Sequence, residues 1–158
     1  MNIRIKILMK LASQGAQYAI SAIIALSKQR EADVVSAAKL AQALDCPAAY
    51  LSQLLSKLIP VGILKSQRGL NGGVYLAKPL EEISVYEVIV AIDGDEFFTS
   101  CFMGIEGCGR IEPCPFHSFW SIEREKIKEW LIGTSFEDAE KAMTQAWFAK
   151  RLSFTNGV

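Results

Sequence analysis

The sequence predicts a mainly α-helical chain: a winged helix-turn-helix with one small β-hairpin, followed by a long C-terminal helix. Three observations carry this. Apolar residues recur at helical spacing through 13–28, 37–44 and 51–58. The residues Asp45, Cys46 and Pro47 break the second of these runs from the third. Two short β-prone runs flank a glycine-rich tip at 69–73.

In chain order, the first helix spans 13–28 and turns Ala16, Ala19, Ile20, Ile23, Ile24 and Leu26 toward a core. Ser36 caps a second helix with the stripe Ala37, Leu40, Ala41 and Leu44. Pro47 fits the first turn of a third, where its missing N–H costs nothing, and Leu51, Leu54, Leu55 and Leu58 give that helix one buried face. Residues 63–68 and 74–77 read as the hairpin strands. Ser84 and Glu87 form a capping box for a helix through Val88, Ile89 and Ile92 that ends near Gly94. After a cysteine-bearing loop, a long helix runs to Gly133, and Ser135 with Asp138 caps a last one carrying Ala142, Met143, Ala146 and Trp147.

The 158 residues are 51% hydrophobic and 22% charged. That composition supports a folded core without disulfides and excludes a disordered or collagen-like chain. The longest apolar stretch, 19–26, is interrupted by Ser21 and falls far short of the roughly 20 residues of a membrane span. The basic start at Arg4, Lys6 and Lys10 imitates a signal peptide, but Gln14, Gln17 and Ser21 break its apolar region. A cytoplasmic protein with no membrane segment is expected.

Net charge is zero, yet the halves are opposites. Residues 1–80 hold ten Lys or Arg against three acids, net +7, and residues 81–158 hold the balancing −7. Phosphate neutralisation supplies most non-specific nucleic-acid affinity, so the basic half suits a polyanion, the alternative being a dipolar surface with no ligand. The third helix carries small or hydrogen-bonding residues on its outer faces, as a major groove requires. The candidate contacts to double-stranded DNA are Ala49, Tyr50, Ser52, Gln53, Ser56 and Lys57 on this helix, and Arg68, Asn71, Gly72 and Gly73 on the hairpin, or wing. A plain solvated helix face is the competing reading. The glycines do not make a phosphate loop, since no Lys-Ser/Thr ending follows and no helix opens there.

On the long helix, Phe116, Phe119, Trp120, Ile127, Trp130 and Leu131 share a side. Aromatics outside the compact unit need a covering surface, and the same helix of a second subunit is the simplest one. Phe116, Trp120, Ile127, Trp130 and Leu131 are the dimerisation candidates, with packing inside one subunit as the alternative.

Residues 101–117 read CFMGIEGCGRIEPCPFH and bring together Cys101, Cys108, Cys114 and His117. Three thiolates and an imidazole make a complete four-ligand set. Intervening stretches of six, five and two residues, with glycines between, suit a loop folding round an ion or cluster. The spacing differs from the paired C-x2-C of common zinc modules, which favours an iron-sulfur cluster and leaves zinc and redox-active or idle thiols open. The polar, glycine-rich loop has little apolar cover, so small oxidants such as oxygen or nitric oxide could reach a cluster there. Cys46 reads as a small buried residue.

Together the opening LASQGAQYAISA, the segment AAYLSQLLSKLIPVGILKSQRGLNGGVYLAKP and the three-cysteine loop resemble the Rrf2 family of bacterial winged-helix transcription regulators, and its iron-sulfur-binding, IscR/NsrR-like branch. The YLxQLL segment at 50–55 followed by RGxxGG at 68–73 is the most specific part. The resemblance implies a homodimer with recognition helices in successive major grooves and wings at the minor groove, where Arg68 would lie. It implies Cys101, Cys108 and Cys114 as cluster ligands and His117 as the fourth. Some relatives instead recruit an acidic residue from the partner's first helix, where this chain has Gln17. Two departures stand out: the first cysteine interval is one residue longer than in IscR-like members, and Ser52 replaces a glutamate.

The expected organisation is a DNA-binding unit at 9–93, a cluster loop at 94–115 and dimerisation and terminal helices at 116–152, with 1–8 as a basic arm or a mis-assigned start. The expected function is not enzymatic. It is transcriptional regulation through a [2Fe-2S] or [4Fe-4S] cluster that reports iron-sulfur status, redox state or nitric oxide. The alternatives are a regulator without a cluster, sensing by thiols, zinc or a protein partner, and an iron-sulfur carrier or scaffold.

Overall fold

The computed structural model describes residues 11–29 and 33–143. Ala146, Trp147 and the basic stretch 1–8 lie outside them. The described chain runs α1 (Gln14–Ser27), α2 (Ala37–Ala43), α3 (Ala48–Leu58), β1 (Leu64–Gln67), β2 (Gly73–Leu76), a 3₁₀ turn (Leu80–Glu82), α4 (Val85–Asp93), α5 (Glu96–Thr99), α6 (His117–Gly133) and α7 (Phe136–Met143).

Helix α1 is the central element, packing on α3, α4 and β2. Its inward face is mostly alanine: Ala16, Ala19 and Ala22 are fully buried beside Ile23. Small side chains let neighbouring helices approach closely. A Cβ on Gly15 would lie 3.0 Å from the Tyr50 hydroxyl and 3.1 Å from Leu54, so glycine sets the distance between α1 and α3. Ser13 caps α1 by accepting from the Ala16 amide, while its own amide and hydroxyl donate to the Asp93 carboxylate at 2.8 and 2.5 Å. The start of α1 is thereby pinned to the end of α4.

The helix-turn-helix forms as the sequence predicts, with Ser36 accepting from the Lys39 amide at the head of α2. Asp45 adopts φ +50° in the turn, a left-handed conformation that Asp tolerates better than most residues. Pro47 sits one residue earlier than expected, as the N-cap of α3 rather than in its first turn, and its carbonyl accepts from the Leu51 amide. Leu51, Leu54, Leu55 and Leu58 are all buried.

The wing strands pair antiparallel, Leu64 opposite Leu76 and Gln67 opposite Gly73. Val35, just before α2, exchanges backbone hydrogen bonds with Val74 at 3.0 and 2.9 Å and ties the wing to the helical unit. A Cβ on Gly73 would collide with the Val35 carbonyl, so only glycine permits this junction.

The Ser84–Glu87 capping box is complete in both directions. Two short elements escape the sequence reading: the 3₁₀ turn and α5, a single turn within 94–115 anchored by buried Phe98. Directly after α6 the chain folds back onto the start of α4. The Val85 amide donates to Thr134, the Phe136 amide donates to Ile83, and Phe136 is fully buried. Ser135 and Asp138 cap α7 reciprocally.

Candidate functional site

Between α5 and α6 the chain turns through left-handed glycines and gathers its three loop thiols, whose sulfurs all lie within 4.8 Å of one another. Cys101 Sγ and Cys114 Sγ are 3.6 Å apart, and His117 Nδ1 lies 3.4 Å from Cys108 Sγ. His117 opens α6, and its amide donates to the Cys114 carbonyl. At Gly109, φ is +85° and a Cβ would run into the His117 ring, so the loop backbone is a cradle for that imidazole.

Backbone amides point at the sulfurs: Met103 donates to Cys101 Sγ at 3.4 Å and Cys114 to Cys108 Sγ at 3.3 Å. Partial burial raises the Cys101 thiol, but the amides of Ile105 and Met103 and the thiols of Cys108 and Cys114 outweigh it, bringing Cys101 down to about 7. At Cys108 the Cys114 amide favours the thiolate, but burial and the two neighbouring thiols push it upward overall. Within such a cluster one thiolate forms readily and a second only against its charge. A bound cation removes that conflict. Three thiolates and an imidazole are a soft donor set of the kind that holds iron-sulfur clusters or zinc.

A cavity of about 240 Å³ reaches Cys101, Cys108, His117, Arg110 and Arg124. Met103, Ile105 and Ile111 are exposed around it, leaving the ligands only half-covered. Arg124 donates to the Thr99 and Ser100 carbonyls at 3.1 and 2.7 Å, and the Trp120 indole N–H donates to the Ser100 carbonyl at 3.0 Å. Sequence reasoning passed over Arg124. Its only signal was the i,i+4 spacing from Trp120 on one face of α6.

On α3, Ala49, Ser52, Gln53 and Ser56 are exposed. Three of the candidate contacts are engaged by the chain itself, Ser56 through its hydroxyl, which donates to the Gln53 carbonyl at 2.7 Å. Tyr50 packs its ring edge-on against Tyr18 with centroids 6.2 Å apart, and Lys57 Nζ donates to the Ile92 carbonyl at 3.1 Å. On the wing, Arg68 and Asn71 are exposed at the tip, while Gly72 has no room for a side chain. Residues 46–80 carry Lys57, Lys65, Arg68 and Lys78 and no carboxylate.

The aromatic stripe of α6 divides between two faces. Leu131 is buried in the chain's own core and has no surface left for a partner. Ile127 packs against that core, and Trp120 against Phe97 and Phe102. Phe116, Phe119, Ile122 and Trp130 remain exposed. Among the described residues no helix is long and apolar enough to cross a membrane.

Residues 12–141 match the Rrf2 family, described as iron-dependent transcriptional regulators. The chain is 34% identical over 130 residues to the transcriptional regulator IscR of Photorhabdus laumondii, covering 82% of this chain and 78% of that one. Among solved structures it is similar to CymR of B. subtilis, titled the global cysteine regulator, with a TM-score of 0.68, 27% identity, and coverage of 85% of this chain and 98% of that one. IscR of T. potens shares the fold, with a TM-score of 0.68, 24% identity, and coverage of 87% and 91%. The match spans the helix-turn-helix, the wing, the cysteine loop and α6, and on that evidence the chain belongs to the Rrf2 family of transcriptional regulators, which are not enzymes.

Proposed function

We propose that this regulator binds operator DNA as a cytoplasmic homodimer and senses iron-sulfur status, redox state or nitric oxide through a cluster held by Cys101, Cys108, Cys114 and His117. The observation that carries the reading is the convergence of the three thiols within 4.8 Å, with the His117 imidazole 3.4 Å from one of them, beside a cavity open to small molecules. The names of the IscR relatives support it.

When bound, the cluster supplies a redox-active group that small oxidants can attack. The remaining work belongs to the chain. The four side chains hold the loop closed, Gly109 leaves space for the imidazole, and Trp120 and Arg124 fasten the loop to α6 through the Ser100 carbonyl. The exposed face of α6, with Phe119, Ile122 and Trp130, is the proposed dimer surface. A loop that loosens thus releases the first half of α6, the helix that would set the two recognition helices about 34 Å apart, one turn of DNA, while Leu131 keeps its far end in the core.

The test is selection of bound fragments from genomic DNA, followed by binding measurements with anaerobic and chelator-stripped protein. The reading expects an enriched operator whose affinity changes on stripping. No enriched sequence would point to the carrier alternative.

A second reading, thiol sensing without a cluster, is favoured by one observation. Cys101 and Cys114 lie at 3.6 Å, with Cys101 lowered to about 7. Iron content separates the two readings.

A further inference from the structure

The wing carries a feature that phosphate contacts leave unexplained. Leu70, at its tip, is fully exposed, the most exposed large hydrophobic residue described. It touches no part of the core, so the fold itself gives it no role.

The tip is held rather than loose. The Gly72 amide donates to the Gly69 carbonyl at 2.9 Å, closing the turn that lifts Leu70 outward. A Cβ on Gly72 would come within 2.6 Å of the Gln67 carbonyl oxygen and 2.8 Å of that of Gly69, so the turn accepts no other residue there without shifting. Below it the strand pairs and the Val35–Val74 bridge fasten the hairpin to the helical unit.

The surroundings define the occupant. Leu70 lies two residues from Arg68, beside Asn71, in a 35-residue stretch, 46–80, without a carboxylate. A lone apolar side chain beside an arginine in a stretch without carboxylates does not resemble a protein-protein patch, which needs contiguous apolar area. It does match a minor groove, with phosphate walls and a floor of base edges and sugars, into which architectural proteins insert leucine between base steps.

We propose that Leu70 is a wedge that enters the DNA minor groove and partly unstacks a base step there, making the wing a reader of DNA deformability. The inference rests on the DNA-binding reading above. Flexible pyrimidine-purine steps would be favoured at the wing position without any base-specific hydrogen bond.

The test uses the full chain and the duplex enriched in selection, carrying 2-aminopurine at steps along the site and dyes at its ends. Wild-type protein should raise 2-aminopurine fluorescence at one step in each half-site and shorten the end-to-end distance. Leu70→Ser should lose both signals and about tenfold in affinity, with the salt dependence unchanged. Leu70→Met should restore them. Arg68→Ala should instead lower the salt slope by about one unit. Because Leu70 packs against nothing, circular dichroism of Leu70→Ser should match wild type. Unchanged affinity and bending in Leu70→Ser would overturn the wedge while leaving DNA binding intact. So would loss of self-association or of vesicle binding as the only effect. Failure of wild-type protein to enrich any duplex would overturn the underlying reading as well.

Discussion

The indole N–H of Trp120 donates to the carbonyl oxygen of Ser100, the residue immediately before Cys101, at 3.0 Å. The Arg124 guanidinium reaches the same carbonyl from one turn further along α6. Two donors of the long helix therefore converge on the backbone at the entrance to the thiol cluster.

Trp120→Phe keeps an aromatic ring against Phe97 and Phe102 but removes the N–H together with part of the indole's packing surface. A net hydrogen bond is worth about 1 kcal/mol. The variant should fold, while iron release to a chelator should accelerate roughly fivefold, since a factor of five in rate corresponds to about that energy. An unchanged release rate would separate the latch from the metal site.

Gly109 and Gly104 both adopt positive φ, but only at Gly109 would a Cβ strike the His117 ring. Alanine at either position costs about 1–2 kcal/mol of backbone strain. Gly109→Ala should in addition displace the imidazole, weakening metal retention and altering the visible spectrum in the way that His117→Ala should. Gly104→Ala should leave the spectrum unchanged. Absorbance and iron content of the three variants check this.

Trp130 is 62% exposed and its neighbour Leu131 only 3%. Leu131→Ala should cost about 2–5 kcal/mol of stability through the cavity it leaves. Trp130→Ala should cost little stability but shift the sedimentation profile toward monomer. A stable dimer in Trp130→Ala would move the interface elsewhere.

Glu87 closes the cap of α4. Burial raises its carboxyl, but the Ser84 amide and hydroxyl and the Lys78 ammonium hold it below its ordinary value of 4.5. A carboxylate lowered on folding contributes stability above its unfolded pKa and loses it as pH falls through the folded value. The urea midpoint of unfolding should therefore fall as pH drops below about 4.5, and Glu87→Gln should show a shallower fall. Ser84→Ala should cost about 1 kcal/mol at neutral pH.

Much of this fold was legible because its signals are local. Ser36, Ser84 and Ser135 each announce a helix start by a side chain meeting an amide three residues on. The leucines of α3 recur at the helical period, and the wing glycines mark a turn. The thiols could be listed from sequence, and their spacing suggested convergence. The split of the α6 stripe could not be read. Which of Trp120, Ile127, Trp130 and Leu131 faces inward depends on where α4 and α5 lie, a tertiary fact with no local signature. The same holds for Lys57, whose amine is drawn to the end of α4 by a carbonyl 35 residues away in sequence. Arg124 escaped notice because backbone carbonyls as partners leave no residue-type pattern.

The most direct test of the central claim is the iron and acid-labile sulfide content of anaerobically purified protein, with its visible spectrum before and after oxygen or nitric oxide. The account predicts stoichiometric iron and sulfide and a spectrum that responds to the oxidant, both lost when Cys108 and Cys114 are replaced by alanine in a chain that stays folded. Zinc alone, or no metal with full operator binding, would contradict it.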